Sequence, residues 1–277
     1  MKKPIARRSV LGLAVCLLAA SLAGCGGSGD VRNSDEPVAL SQAIAAEGIW
    51  FDSSDTPSKD ESIGSIISFD GKGNATCYNT NGITYADIKD LSDKEILELA
   101  AEHDEQRFEQ MVAQRIKRIE KAIENARTNV LPRYQDDLDY MVQMGAPADE
   151  IGLAQESIAK IEEEIAGFEQ LIEDFKALEY QAPKPFPYQL SIETDDSGNY
   201  TAEERLELKK TALDGEGDAR LVEQKVGFTF APGDTGCFPV YDDLYAGFVD
   251  DGFWTKVGED FLAFELDAPG TEGIKVD

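Results

Sequence analysis

Three pairs of adjacent carboxylates, Asp136-Asp137, Asp242-Asp243 and Asp250-Asp251, stand out as groups able to move protons. Glycoside hydrolysis uses two such acids, but they must face each other across a cleft. Nothing in the spacing of these pairs imposes that geometry, and a chain with 54 acidic residues among 277 makes neighbouring pairs by composition alone. Asp214-Gly-Glu216-Gly-Asp218, followed by Glu223, sets acids at alternate positions as a calcium loop does. It lacks the glycine at position six and the glutamate at position twelve that bend and close an EF-hand, so it reads as an acidic turn. The single histidine, His103, rules out histidine-cluster metal sites and histidine-based nucleophile triads within the chain. The sequence has no phosphate-binding glycine loop, nucleophile elbow or Cys-x-x-Cys pair. The expectation is a protein without metal or cofactor that is not an enzyme.

The thiol with the clearest setting is Cys25. A basic start (Lys2, Lys3, Arg7, Arg8) leads into an apolar run from Val10 to Ala23, which ends in Leu22-Ala23-Gly24-Cys25. The run is too short to span a bilayer, and small residues sit where a cleavage site needs them. This segment resembles the bacterial lipoprotein signal with its lipobox. The resemblance implies that residues 1–24 are removed and that Cys25 carries a diacylglyceryl thioether, which would hold the protein on the extracytoplasmic face of a bacterial cell membrane. Arg7-Arg8-Ser9-Val10-Leu11 also looks like a twin-arginine export signal, so the export route stays open. The layout as a whole is similar to surface lipoproteins of Gram-positive bacteria.

Charge narrows the partners. The full chain carries −28, and loss of the first 24 residues, whose charges are Lys2, Lys3, Arg7 and Arg8, takes it four units lower. Such a surface argues against nucleic acid or anionic headgroups as electrostatic partners. After processing, Cys77 and Cys237 remain. An even pair in an exported protein favours a disulfide, the alternative being two buried free thiols.

The elements that would position these residues follow from periodicity. Residues 25–46 open on Gly26, Gly27, Ser28 and Gly29 and read as a lipidated cysteine with a flexible tether, with a short helix near Ala39 to Ala46. Period-two segments around residues 49–51, 63–69 and 74–79 predict strands, with turns at Asp70 to Gly73 and at Asn81-Gly82. From Ser92 to Tyr180 the period changes to that of a helical hairpin. Ser92 and Glu95 form a capping box, and Ile151, Ala154, Ile158, Ile161, Ile165, Phe168, Ile172 and Phe175 mark a seam. Pro132 predicts a kink, beyond which the apolar phase slips by one residue; Gly145 and Pro147 predict the reversal. Folding there would put Arg127 near Glu164 and Arg118 near Glu173. Strands return over 188–194, 200–210, 219–230, 244–249, 253–257 and 261–266.

The first strands are too few to bury their own face. The expected fold is therefore α+β: a small antiparallel β barrel or sandwich, discontinuous over residues 47–90 and 181–277, with the hairpin of residues 91–180 inserted. Gly48-Ile49-Trp50 resembles the G-x-W that opens the first strand of lipocalins. That resemblance implies a carrier of a small apolar ligand, in a cavity lined by Trp50, Phe228, Phe230 and Phe264; read from the residues, Trp50 is a core plug. The leading expectation is a membrane-anchored interaction module that contacts another envelope or host protein.

Overall fold

The computed structural model describes residues 31–276 apart from residue 216. Cys25 and the segment expected to be a signal lie outside the described residues. A 3-10 turn (Val31–Asn33) precedes β1 (Val38–Ala39) and α1 (Leu40–Ala45). Leu40, Ala43 and Ile44 form one helical face and are buried with Val38, so the expected tether gives way to the folded body well before residue 46.

Next comes a meander of β2 (Glu47–Ser53), β3 (Ser62–Asp70) and β4 (Asn74–Thr84). Gly71 and Gly73 adopt φ of +68° and +87° in the β3–β4 turn, where the Asp70 carboxylate accepts from the amides of Lys72 and Asn74. Asn81-Gly82 does not turn the chain. Pairing moves from Ser65 opposite Asn79 to Ile63 opposite Ile83, so β4 carries two extra residues as a bulge, with Gly82 at φ +85°.

The capping box forms: the Ser92 hydroxyl accepts from the Glu95 amide, and the Glu95 carboxylate accepts from the Ser92 amide at 2.8 Å. From it runs α2 (Asp93–Asn125), which passes through a π-helical turn (Ala126–Val130) straight into α3 (Leu131–Gln143). The kink expected at Pro132 takes this form. Proline has no N–H for the carbonyl four residues back and its ring crowds that carbonyl; one inserted residue widens the turn and also produces the one-residue slip in apolar phase.

Gly145, at φ +72°, ends the long helix, and α4 (Ala148–Lys176) returns along it. The shared core of the two helices is thin. Ile123, Ile165 and Ile172 are buried, Ile116, Ile119, Ala126 and Ile161 flank them, α3 buries nothing, and Phe168 is 38% exposed rather than in the seam. Arg127 bonds Glu169 at 2.6 Å rather than Glu164, and Glu173 pairs with Lys176 of its own helix. Helical side chains lean toward their own N-terminus, so in an antiparallel pair the partner on α4 lies further along than the backbone level alone suggests.

The remaining strands are β5 (Phe186–Pro187), β6 (Gln189–Thr194), β7 (Thr201–Leu213), β8 (Leu221–Phe230), β9 (Thr235–Val240), β10 (Asp243–Phe248), β11 (Phe253–Val257), β12 (Phe264–Glu265) and β13 (Lys275–Val276). They build a seven-stranded sheet of order β5-β4-β3-β2-β11-β10-β9 and a four-stranded sheet of order β13-β6-β7-β8; β1 pairs with β12. The β2–β11 ladder joins chain from before and after the hairpin, as a discontinuous sheet requires. The molecule is α+β. Neither larger sheet closes on itself among the described residues, so there is no closed barrel.

Both faces of the large sheet are covered. On one, Trp50, Ile67 and Phe69 meet Leu206, Leu208, Phe228 and Phe230 of the four-stranded sheet. On the other, Phe51, Ile66, Tyr85 and Trp254 pack with Ile96 and Ala100 from the first turns of α2. The root of the helical arm therefore belongs to the body's core.

Candidate functional site

Four residues of α2, Asp104, Arg107, Phe108 and Met111, are spaced i, i+3, i+4, i+7 and so share one face. That face looks onto β4, the segment after α4, and the β7–β8 pair, and together they enclose a cleft of about 240 Å³. Its floor is a hydrogen-bonded chain. Asp104, only 6% exposed, accepts at Oδ1 from the Asn79 amide (2.7 Å) and from Asn79 Nδ2 (3.1 Å), and at Oδ2 from the Tyr180 hydroxyl (3.0 Å). With both amide donors spent on Asp104, the Asn79 side-chain oxygen turns to Lys210, whose Nζ donates to it at 2.6 Å. Burial first, then the negative Asp104, pushes the Tyr180 phenol well above its ordinary value, which keeps it a proton donor.

The walls are of two kinds. Phe108 and Tyr180 lie ring to ring with centroids 5.7 Å apart, and Met111, Leu213 and Leu221 extend this apolar side. Two cations, Lys210 and Arg107, also line the cleft. Arg107 is half-buried and makes no hydrogen bond or ion pair among the described residues. The mouth opens to solvent between Gln181 and Gln224, both exposed. Chemically the cleft offers donors and an aromatic wall, and its one carboxylate already accepts three hydrogen bonds.

The groups singled out in the sequence lie elsewhere. Trp50 stacks on Phe253 (4.5 Å) and leans on Phe264 (5.2 Å), while Phe230 meets Phe248 at 4.2 Å and Phe228 meets Phe253 at 4.7 Å. The space expected to hold an apolar ligand between these four residues is filled by their own rings. Cys77 is a buried free thiol on β4 and Cys237 an exposed free thiol on β9. β3, β2, β11 and β10 separate them, about 24 Å along the sheet at the usual strand spacing. A disulfide needs Cα atoms within about 7 Å, so the expected bridge is not made. Burial pushes the Cys77 thiol up to about 11, which leaves it unreactive at neutral pH.

The paired aspartates act singly. Asp136 and Asp137 are exposed on α3, Asp243 holds Lys256 at 2.5 Å, and Asp251 accepts from the Thr229 amide at 2.8 Å. Asp214 closes its turn by accepting from Arg220 Nε at 2.6 Å. Among the described residues no group of three or more His, Cys, Asp or Glu is placed to hold a metal, and no helix is long and apolar enough to cross a membrane.

A buried pair of acids, Glu204 and Asp267, links β7, α1 and the segment after β12. Glu204 on β7, fully buried, accepts from the Asp267 amide at 2.9 Å, and the Asp267 carboxylate accepts from the amide and hydroxyl of Ser41 on α1 at 2.8 and 2.6 Å. Burial, then the nearby Asp267, pushes the Glu204 carboxyl up to about 8. It is a latch inside the fold, since no cleft reaches it among those described.

No family model, curated protein or solved structure matches this chain.

Proposed function

We propose that the protein is a bacterial lipoprotein, held on the extracytoplasmic face of the cell membrane by lipid on Cys25, and that it works as a non-enzymatic interaction module with the helical arm as its reach. We read the two sheets packed about one aromatic core as a sandwich that serves as the arm's base. The observation that carries the reading is apolar surface at the hairpin's far end. Tyr140 and Met144, four residues apart at the end of α3, are exposed by 63% and 67%, and Tyr134, Val142 and Leu153 of the same end by 42–65%, while on the body Tyr200, Tyr241 and Leu262 are exposed singly. Aromatic and methionine side chains held in water are favoured anchors for a partner.

The long helix from Asp93 to Gln143 is roughly 75 Å at the standard rise, so this end stands well clear of the body. Asp136, Asp137, Asp139, Asp149 and Glu150, all exposed, lie in the same stretch of chain. The partner this fits is an envelope or host protein with an apolar groove rimmed by basic residues; nucleic acid fits the charge poorly.

Affinity isolation of the full-length protein from crosslinked cell envelopes tests both halves of the reading. Tyr140→Asp with Met144→Asp should lose the partner that wild type captures, while the protein stays in the membrane fraction. Cys25→Ala should leave the membrane fraction or remain unprocessed, since the thioether lipid is the anchor in this account. Retention of every partner by the tip variant, or wild-type membrane fractionation of Cys25→Ala, would contradict the corresponding half.

A further inference from the structure

We propose that the cleft at the root of the arm is a binding site for a small aromatic monocarboxylate. Three features of the cleft select that chemistry. The first is Arg107. A guanidinium drawn half out of water without a counter-ion is unfavourable, and its planar fork is matched by a carboxylate that accepts two parallel N–H bonds. The second is the charge balance. Arg107 and Lys210 stand against the single carboxylate of Asp104, which leaves one net positive charge, so a monoanion neutralises the site where a dianion would overload it. Asp104 does not compete for Arg107: its oxygens are committed to Asn79 and Tyr180, and through Asn79 they hold the Lys210 ammonium, which has two further protons to donate, at the cleft.

The third is shape. Phe108 and Tyr180 form an aromatic wall continued by Met111, against which a flat ring can lie, and about 240 Å³ corresponds to roughly eight water volumes, the size of a ligand no larger than an aromatic amino acid. Such a ligand touches α2, the segment after α4 and β7 at once, so it ties the arm to the body. This inference is independent of the proposed contact at the arm's tip.

Calorimetric titration of the full-length protein in detergent with phenylacetate tests it, with phenylacetamide and inorganic phosphate as comparators. Phenylacetate should bind saturably with one site per chain, and its uncharged amide at least about tenfold more weakly. Arg107→Gln should weaken phenylacetate by about tenfold or more with little change in melting temperature, because Arg107 makes no internal hydrogen bond or ion pair among the described residues and Gln keeps part of its stem. Met111→Trp should abolish binding by filling the slot, and Arg118→Gln, on an exposed turn of the arm, should leave it unchanged. No saturable binding of phenylacetate to the wild type, wild-type affinity in Arg107→Gln, or phosphate binding as tightly as phenylacetate would each overturn the proposal.

Discussion

The body and the arm are both rich in apolar residues, yet they bury them on different scales. In the body two sheets and the first turns of α2 enclose fully buried rings, among them Phe51, Phe69, Phe230, Phe248, Phe253 and Trp254. In the arm Ile123, Ile165 and Ile172 form the buried centre of one narrow cluster, and the outer helix α3 buries nothing. A sheet with both faces covered packs each residue from several directions, whereas a two-helix hairpin can cover only one stripe per helix. The body thus forms a closely packed base, while the apolar side chains of the arm's outer half are only partly covered.

The largest predicted effect lies in the body. Phe230 is fully buried against Phe248, Phe253 and Phe228, so Phe230→Ala should destabilise the protein by about 3–5 kcal/mol, read from the denaturant midpoint of tryptophan fluorescence. Ile123→Ala in the arm should shift that same signal much less; equal shifts would break the comparison.

A second prediction sharpens it through pH. The folded-state pKa of Glu204 is raised above its usual glutamate value of 4.5 to about 8. Its contribution to stability is therefore complete below pH 4.5 and is lost as pH rises through about 8, because folding must then strip water from an ionised carboxylate. Between pH 6 and 9 the body should lose about 3 kcal/mol, and Glu204→Gln should flatten that slope. A slope that Glu204→Gln leaves unchanged would assign the pH dependence to other groups. The smallest effect belongs to the arm's surface: Arg127→Ala removes the exposed pair with Glu169 and should cost less than about 1 kcal/mol in the melting of the helical signal.

Much of this division was legible in the sequence, because it rests on periodicity and local chemistry. The capping box at Ser92, the reversal at Gly145 and the alternating strands around Trp50, Phe228 and Phe253 follow from spacing alone. So does the slip at Pro132, although one inserted residue looks the same in sequence whether it makes a kink or a π turn. Other elements depended on partners far along the chain. β9 escaped notice because Gly236 and Pro239 interrupt its pattern, which an edge strand tolerates and an inner strand would not. The cysteine count could not reveal that four strands would separate Cys77 from Cys237.

The cleft was the least legible part. Asp104, Arg107, Phe108 and Met111 lie on one helical face, but the face mixes charge with apolar surface, so hydrophobic periodicity passes over it. Asn79 and Lys210 meet across 131 residues of sequence, a distance no local pattern encodes. A mixed-character face at i, i+3, i+4, i+7 on an otherwise polar helix is the one signal that would have pointed there.

The arm is a separate stability unit carried on a body that folds without the arm's outer half. Both tryptophans, Trp50 and Trp254, lie in the body, whereas most of the helix lies in the arm, so fluorescence and circular dichroism at 222 nm report the two regions separately. The most direct measurement is both signals on full-length Ile161→Asp with Ile165→Asp, which puts two carboxylates into the hairpin seam. The helical signal should fall sharply while tryptophan emission and its unfolding midpoint stay at wild-type values. Simultaneous loss of both signals would instead mean that arm and body share one cooperative core.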